Sequence, residues 1–436
     1  MSWELIAILM FGGLLVLLAT GLPVAFSLGG IGLAAAFLIW GPKGAIVLAS
    51  TAYDAGENYL LIALPLFILM GETAVVSGVT RGAFKATDAI AGRLPGGLAI
   101  TTIGTACIFG AVSGASSAAC AAVGTMALPE MFRRGYDKGL AVGAVGGGAV
   151  LDILIPPSVA MVVYGYLSGV SIGKLFFAGF VPGFVSAGMF SLYIMLRCLL
   201  NPRLAPERSR AGLKETMTSL VGLLPLLTLI VVALGSIWFG IATASEAAGI
   251  GAFGSMLLAL GYRTLNWQAM KKIMLSTARM SCMIFTILIG ATFFTQILVY
   301  VGVAASLAEV VIGLQLPAWV IVTAMMLILI FLGCFIDTGS MLFITTPIFM
   351  PVVHKLGLDP LWFGILVMMA CELATLTPPV GFNLFVLKGV APEMSFADIV
   401  KGVAPYWFLV LGTMVLCGIF PILVTWLPDL MKPSIG

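Results

Sequence analysis

The sequence has a single histidine, His354, among its 436 residues, and this scarcity excludes several enzyme classes. Without a second histidine the chain cannot form the HExxH zinc motif of metalloproteases. The sequence also has no GxSG or GxGD signature of intramembrane proteases, no Walker motif and no Rossmann glycine set. Hydrolysis of ATP or of peptide bonds is not expected, and the chain is predicted not to be an enzyme.

Charged residues are also scarce, at 9% of the chain, whereas 61% of the residues are hydrophobic and the mean hydropathy is +1.17. This composition is typical of a polytopic α-helical membrane protein. The seven cysteines lie in or beside apolar segments without paired spacing, which predicts neither a disulfide framework nor a zinc site. The first span follows no basic region and is expected to be retained. Almost all charge lies in short loops, and no nucleic-acid partner is predicted.

The clearest pattern in the chain is a repeat of its prolines 222 residues apart. Pro95, Pro129, Pro156 and Pro157 recur as Pro317, Pro351, Pro378 and Pro379. Gly135 and Asp137 likewise recur as Gly357 and Asp359, and both aspartates are predicted to cap the helix after them. A duplicated apolar chain that proline and glycine interrupt at matching points is typical of secondary transporters, which bind their substrates at such interruptions.

The apolar segments predict ten membrane crossings, near 4–20, 22–40, 60–78, 138–169, 175–200, 219–240, 242–261, 281–300, 361–390 and 405–427. Two further regions, 96–131 and 318–352, each contain two short apolar arms around a polar centre with glycine. Each of these regions is interpreted as a re-entrant hairpin. Each repeat then crosses five times, an odd number, so the second copy must be inverted. The predicted fold class is an all-α polytopic membrane protein of two inverted repeats.

These boundaries define the organisation of the chain. Residues 1–200 form the first repeat, with the hairpin 96–131 and a broken helix at 138–169. Residues 219–427 form the second repeat, with the hairpin 318–352 and a broken helix at 361–390. A cytoplasmic linker, 201–218, joins the repeats, and 428–436 form a C-terminal tail. Two amphipathic stretches, 44–59 and 262–280, occupy equivalent positions, and the four basic residues of the second are expected to contact anionic membrane lipid.

The basic residues indicate the sidedness of the chain. Of its 21 lysines and arginines, 17 fall on one predicted face, and only Lys43, Lys174, Lys355 and Lys432 fall on the other. By the positive-inside rule the first face is cytoplasmic, which places both termini outside, in the periplasm. The first hairpin then enters from the cytoplasm and the second from the exterior. Two full crossings in place of a hairpin would leave this count unchanged, but the short arms favour re-entry.

Polar residues and glycines cluster at the hairpin tips and in the broken helices. Ser113-Gly114 in the first tip matches Thr338-Gly339 in the second after a shift of three residues. Hydroxyls and free carbonyls of this kind suit a hard cation such as Na⁺, although small residues also allow close helix packing. The two Pro-Pro pairs cannot continue a helix, and the carbonyls that they free need partners at membrane depth. One such break could be a simple kink. Two at symmetric positions predict a site near the midplane.

Five acidic residues fall in the predicted membrane segments, where each carboxylate must face a cavity, a cation or a partner. Asp337, in the second tip, and Asp152, in the first break, are the best candidates for coupling to an ion. Glu372 precedes the second break. For Glu72 and Glu246, in the early crossings, a structural role at a helix end or a subunit contact is as well supported as a functional one.

At these residues the chain resembles the DctM-like large membrane subunit of TRAP transporters, a branch of the ion transporter superfamily. The matching segments run in order along nearly the whole chain: PLFILMGE (65–72), SGASS (113–117), GY (135–136), IPPS (155–158), AGFVPG (178–183), SEAA (245–248) and TPPVGFN (377–383). The two Pro-Pro motifs are the most specific. Ala115 departs from the pattern, since the family usually has a third small hydroxyl residue there.

The resemblance implies a Na⁺-driven importer of organic anions, mostly carboxylates, in the bacterial inner membrane. A periplasmic binding protein would deliver the substrate, and a small four-helix membrane subunit would brace the large one. The hairpins and broken helices would form the moving part of an elevator, and the other spans a static scaffold. The implied Na⁺ ligands, in two or more sites, are Ser113, Gly114, Ser116, Ile155 and Pro156 for one site and Gly333, Asp337, Thr338, Gly339, Thr377 and Pro378 for the other. The implied substrate contacts are Ser117, Ser158, Ser340 and Asn383.

Two other functions agree with the sequence. A stand-alone Na⁺/carboxylate symporter of the same superfamily would need neither the binding protein nor the small subunit. A non-transporting membrane scaffold or a channel would tolerate substitution of Asp337 or of the Pro-Pro motifs.

Overall fold

The computed structural model describes residues 3–91, 94–114, 116–206 and 213–432, and these residues form α-helices without a β-strand. The predicted all-α class is confirmed. The helices are α1 (Trp3–Ala19), α2 (Val24–Trp40), α3 (Lys43–Glu57), α4 (Ala63–Val76), α5 (Val79–Ala91), α6 (Gly97–Ser113), α7 (Ser116–Arg133), α8 (Lys138–Val150), α9 (Val159–Ser168), α10 (Ile172–Leu200), α11 (Leu213–Trp238), α12 (Ala244–Gly261), α13 (Trp267–Tyr300), α14 (Val303–Gly313), α15 (Ala318–Gly333), α16 (Thr338–Lys355), α17 (Pro360–Leu376), α18 (Phe382–Val390), α19 (Phe396–Ile419) and α20 (Ile422–Asp429). All seven cysteines are free.

Several helical segments have the length and composition of membrane spans. Five are long and apolar enough to cross a bilayer individually: Tyr59–Val76, which joins a 3-10 turn to α4, and α10, α12, α13 and α19. Shorter apolar helices include α1 and α2, the first arm of each hairpin (in α6 and α15), both arms of the first broken helix (α8 and α9) and the first arm of the second (α17). A bilayer core about 30 Å thick needs roughly 20 helical residues, so the shortest of these helices, such as α9 with 10 residues, span it only together with another segment.

In one group of helices, two pairs of helices make equivalent contacts between the two halves of the chain. α2 packs along α13, and α12 packs along α4. In the repeat, α2 corresponds to α12 and α4 corresponds to the apolar part of α13. Where α2 passes α13, a Cβ added at Gly290 would lie 2.6 Å from the carbonyl oxygen of Ala25. The helices therefore touch backbone to backbone, as small residues allow in membrane proteins.

A second group contains the hairpins, α6–α7 and α15–α16, and the two broken helices, α8–α9 and α17–α18. The first hairpin packs on α8 of its own half and, through α7, on α18 of the other half. The second packs on α17 and, through α16, on α9. The hydroxyl of Tyr164, in α9, donates a hydrogen bond of 2.8 Å to the carbonyl of Pro360, which begins α17. Each hairpin thus packs against one segment of a broken helix from its own half and one from the other half.

The helix after each hairpin begins at the residue that the repeat predicts. The Asp137 carboxylate accepts from the amide of Leu140 and the Asp359 carboxylate from the amide of Leu361, both at 2.8 Å. The predicted capping role of both residues is confirmed. Just before them, Gly135 and Gly357 have φ of 77° and 66°, a left-handed conformation that ends the preceding helix.

Some helix boundaries differ from the predicted ones. The amphipathic stretch 262–280 and the crossing 281–300 form one helix, α13, because no proline or glycine interrupts the chain between 267 and 289. The linker, predicted to reach 218, ends earlier, since α11 begins at Leu213; residues 207–212 lie outside the described residues. The last crossing begins at Phe396, where Ser395 caps α19, and the chain breaks near Pro421 before α20.

Two short helices, α5 and α14, were missed by the sequence prediction, because they are too short to stand out as spans. Each precedes a hairpin at an equivalent position of the repeat. The hairpin registers also need correction. α7 begins at 116 and α16 at 338, which is a spacing of 222 without any shift. Thr338 therefore corresponds to Ser116, and the predicted pairing of Ser113-Gly114 with Thr338-Gly339 is wrong.

Candidate functional site

The first helix break, residues 151–158, is enclosed by protein. Every residue of this segment is buried, including Ile155, Pro156 and Ser158. The chain of α10 covers it closely: a Cβ added at Gly179 would lie 2.2 Å from the carbonyl oxygen of Leu154. The Pro156–Pro157 peptide bond is cis, as is its counterpart, Pro378–Pro379. Neighbouring helices therefore seal this break from its surroundings.

The second break, residues 377–381, is shorter and more open. Pro379 and Val380 are exposed, and Thr377 and Pro378 are half-buried. Two carbonyls on the last turn of α17, beside the break, have side-chain partners in the protein. The hydroxyl of Thr377 donates to the carbonyl of Leu373 at 2.6 Å, and the indole nitrogen of Trp407, in α19, donates to that of Leu376 at 2.9 Å. The second break is thus stabilised by side chains while one of its edges stays accessible.

A chain of side-chain hydrogen bonds joins the two breaks through the first hairpin. The hydroxyl of Ser116, at the start of α7, donates to the carbonyl of Ala149, just before the first break, at 3.1 Å. The amide of Asn383, just after the second break, donates to the same Ser116 hydroxyl at 2.6 Å. It also lies 3.4 Å from the hydroxyl of Thr375, on the last turn of α17. The two interrupted helices therefore meet at one place, on opposite sides of Ser116.

The tip of the first hairpin presses on the first break. A Cβ added at Gly110 would lie 2.4 Å from the Cβ of Asp152. Gly114, with φ of 62°, turns the chain against α9, where an added Cβ would lie 3.0 Å from Val159. Of the predicted ligands in this tip, Ser113 ends α6 and its side chain lies outside the described residues, as does Ala115. Gly114 and Ser116 are half-buried.

The tip of the second hairpin is organised by Asp337. Its carboxylate caps α16, accepting from the Ser340 amide at 3.0 Å and from the Ser340 hydroxyl at 2.5 Å. Asp337 is itself exposed, and Thr338 and Gly339 are half-buried. Gly333 is buried against α17, where an added Cβ would lie 2.5 Å from that of Ala374. The Asp337 charge is thus available to solvent while its oxygens hold the helix end.

A cavity of about 860 Å³ lies beside the second tip and the second break. It separates α1 and α2 from the hairpin α15–α16, and its wall is mainly apolar, with Leu14, Phe331 and Phe382 among its residues. Asp337 and Val380 bring the tip and the break into the same wall. The group of α1 and α2 and the hairpin group are therefore not in continuous contact here.

The predicted substrate contacts occupy different environments. Ser158, Ser340 and Asn383 are buried, at 2%, 0% and 1% exposure, and Ser117 is half-buried. In this conformation the cavity wall contains none of these four residues. Of the four, Asn383 lies at the junction of the breaks, and Ser340 is bonded to Asp337 in the second tip.

The four membrane acids other than Asp337 separate into three environments. Glu246 forms a capping box with Thr243 at the start of α12, accepting from the Thr243 amide at 2.8 Å, so its structural role is established. Glu72 is half-buried in α4. Asp152 and Glu372 are enclosed, and Asp152 Oδ1 and both carboxylate oxygens of Glu372 lack a hydrogen-bond partner among the described residues.

Sequence reasoning missed Trp407 and the bond between Ser116 and Asn383. Trp407 lies 31 residues from the carbonyl that it satisfies, and no repeat or motif marks it. Ser116 and Asn383 were each found by resemblance, but only the packing of α7 on α18 brings them together.

The chain is similar to known proteins along nearly its whole length. Residues 11–423 match the family model described as "Tripartite ATP-independent periplasmic transporter, DctM component". The chain is 34% identical over 400 residues to the C4-dicarboxylate TRAP transporter large permease protein DctM of Pseudomonas aeruginosa, covering 92% of this chain and 91% of that one. It is 30% identical to the sialic acid TRAP transporter large permease protein SiaM of Vibrio cholerae, covering 96% and 97%.

Further similarities are to a longer relative and to two solved structures. The isethionate TRAP transporter permease protein DctMQ of Oleidesulfovibrio alaskensis is 32% identical, and the match covers 94% of this chain but 65% of that protein. Among solved structures, the YdaH transporter of Alcanivorax borkumensis has a TM-score of 0.61 at 16% identity, covering 90% of this chain and 91% of that one. MtrF of Neisseria gonorrhoeae has the same TM-score at 13% identity, covering 89% and 85%. These two show a shared fold.

Proposed function

The chain belongs to the DctM component family of tripartite ATP-independent periplasmic transporters, and from this we propose that it is the large membrane subunit of a Na⁺-coupled importer of organic anions in the bacterial inner membrane. Its relatives are transporter permease proteins, in agreement with the prediction that the chain is not an enzyme. The observation that carries the proposal is the hydrogen-bond chain from Ala149 through Ser116 to Asn383, which unites two interrupted helices from opposite halves. Such paired breaks are where secondary transporters bind ions and substrate.

The proposed Na⁺ sites lie where each hairpin tip meets a break. Na⁺ prefers oxygen ligands, and both tips offer hydroxyls and backbone carbonyls beside the breaks. In the second site, the Thr377 hydroxyl donates to Leu373 and keeps a lone pair for a cation, while exposed Asp337 supplies a negative charge. Two Na⁺ ions that move through 100 mV would release about 4.6 kcal/mol. That energy supports roughly a thousandfold accumulation of substrate.

The proposed anion site uses the starts of the second arms, α9 and α18. Neither Ser158 nor Gly381, which precede these arms, caps its helix with a side-chain hydrogen bond. The free amide groups at such helix starts attract negative charge, which suits a carboxylate. The names of relatives that transport C4-dicarboxylates and sialic acid support this substrate class.

We propose an elevator in which the hairpins and broken helices move against a scaffold that includes α1, α2, α4, α12 and α13. The cavity between α1–α2 and the second hairpin supports this division, because the two groups are already separated there. The proposed partners are a periplasmic binding protein and a small membrane subunit. The DctMQ relative supports the second partner, since it contains substantial sequence beyond the part that matches this chain.

Reconstitution tests the proposal. We expect lipid vesicles that contain the chain and its small subunit to accumulate radiolabelled C4-dicarboxylate or sialic acid only with an inward Na⁺ gradient and a binding protein outside. Uptake that needs neither would indicate the stand-alone symporter. If no organic anion is taken up under any of these conditions, the chain is a scaffold or a channel.

Asp337→Asn tests the second Na⁺ site separately from the fold. Asparagine also caps helices well, so α16 should keep its start while the site loses its charge. We expect the Na⁺ concentration for half-maximal uptake to rise at least about tenfold, a loss of roughly 1.4 kcal/mol of Na⁺ binding. The matched control is Glu246→Gln, which neutralises a capping acid at the start of α12. An equal Na⁺ dependence in the two variants would remove Asp337 from the site.

A further inference from the structure

Two carboxyl groups are enclosed near the meeting point of the breaks without a counter-charge. Asp152, in the first break, is 1% exposed, and Glu372, in α17, is 0% exposed. Asp152 closely follows α8 and Glu372 lies on α17, and these two helices pack against each other. No lysine or arginine among the described residues acts on either group. Ordinary ion pairing therefore does not explain why these acids are tolerated.

The surroundings of the pair are polar but uncharged. Cys107 and Cys371 lie within range of Glu372, and Cys120 lies within range of Asp152. Other titratable residues lie on elements packed against these segments: Tyr164 on α9, Cys334 after α15, and Tyr406 and Cys417 on α19. None of them has an electrostatic effect on either carboxyl group. Asn383 Oδ1, 1% exposed and on the hydrogen-bond chain that joins the breaks, is a further oxygen without a partner.

The packing around Asp152 leaves little room for a hydrated ion. A Cβ added at Gly110, in the first hairpin, would lie 2.8 Å from the Cα of Asp152. An isolated carboxylate costs so much to bury that it normally takes up a proton instead. Two neighbouring carboxyl groups without a cation strengthen this tendency, because like charges oppose each other's ionisation. A proton needs no additional space and removes the buried charge of the carboxyl group that takes it up.

We propose that Asp152 and Glu372 form a proton-binding pair in the moving part of the protein, in addition to the Na⁺ sites. The pair retains at least one proton while the first hairpin is closed on the break. When the hairpin separates from Asp152, water reaches the pair, and the proton leaves a carboxyl oxygen for that water. Binding of the proton is a property of the folded chain, whereas its release during transport rests on the proposed function.

Infrared spectroscopy of the purified complex with its small subunit tests proton binding without transport. We expect the wild-type protein at neutral pH to show a protonated carboxyl C=O band that the double variant Asp152→Asn/Glu372→Gln loses. Glu309→Gln, at an exposed acid, should leave this band unchanged. If the double variant does not fold, Asp152→Asn and Glu372→Gln are compared singly, and each should shift or weaken the band. Spectra that coincide with the wild type would overturn the proposal.

Vesicles with an entrapped pH dye test release of the proton. At clamped voltage and a fixed Na⁺ gradient, we expect wild-type uptake to move protons and to change at least several-fold between acidic and alkaline pH. The double variant should lose both effects and remain Na⁺-dependent. If the wild-type protein shows the infrared band but its uptake moves no protons, the proposed proton release is overturned and the bound proton has only a structural role. Absence of wild-type uptake at every pH would overturn the proposed function but not the infrared result.

Discussion

Single polar residues in this protein satisfy backbone groups that the membrane cannot. The sequence predicts that the prolines free carbonyls in both breaks, and the structure shows that Ser116, Thr377 and Trp407 satisfy three of the carbonyls beside them. The prolines could be located from sequence because their effect on a helix is local. The partner of the Leu376 carbonyl could not be located in this way, since Trp407 reaches it only through the packing of α19 on α17.

Asn383→Ala should weaken the junction of the breaks. The change removes the amide that donates to Ser116 and contacts Thr375, and the lost bonds should cost about 1–3 kcal/mol of unfolding free energy. Thermal unfolding in lipid nanodiscs measures this loss. The control, Asn201→Ala, alters an exposed asparagine after α10 and should change the midpoint far less. Equal midpoints for the two variants would contradict the assignment of Asn383.

Gly110→Ala should force the first hairpin away from the first break. The new methyl group would overlap Asp152, and overpacking of this kind costs about 1–3 kcal/mol. Gly12→Ala is the matched control, because a Cβ at Gly12 meets nothing within 4 Å. Alanine in that half-buried but open position of α1 should raise stability by up to about 1 kcal/mol. Unfolding midpoints that move in the same direction in both variants would refute the contact.

Among the helices, those with proline or capping signals were the most predictable. The starts of α8 and α17 follow from Asp137 and Asp359, and the breaks follow from the Pro-Pro pairs. The fusion of two predicted segments into α13 was missed because a change from polar to apolar sequence does not by itself end a helix. Buried Ile273, Thr277 and Ser281, four residues apart, continue one face through the predicted boundary.

Replacing Pro378 and Pro379 together by alanine should allow α17 and α18 to approach one continuous helix. The carbonyls beside the break would then be used within the helix, and uptake should fall to the background of empty vesicles. The control is the double change Pro347→Ala/Pro351→Ala, which removes two prolines from α16, a helix that is already continuous. Uptake that survives the first change as well as the second would show that transport does not need the break.

At the scale of the whole molecule, the positive-inside rule predicts a cytoplasmic linker and an exterior loop before α10. Both Lys174 and Arg203 are exposed and suit labelling. In a Cys282→Ser background, which removes the exposed native thiol, Lys174→Cys should react with an impermeant maleimide in intact spheroplasts. Arg203→Cys should react only after lysis. The opposite pattern would invert the whole topology, and labelling of both sites before lysis would refute the predicted crossing at 175–200 between them.

The exchange of arms between the halves has a consequence for biogenesis. α9, made in the first half, packs on α16 of the second, and α7 packs on α18, which is made late in the second half. A nascent chain of which only the first half has been made therefore exposes the faces of α7 and α9 that pack on α18 and α16 in the complete protein. Neither half should survive alone in a cell, whereas two separately translated halves should rescue one another by obligate complementation.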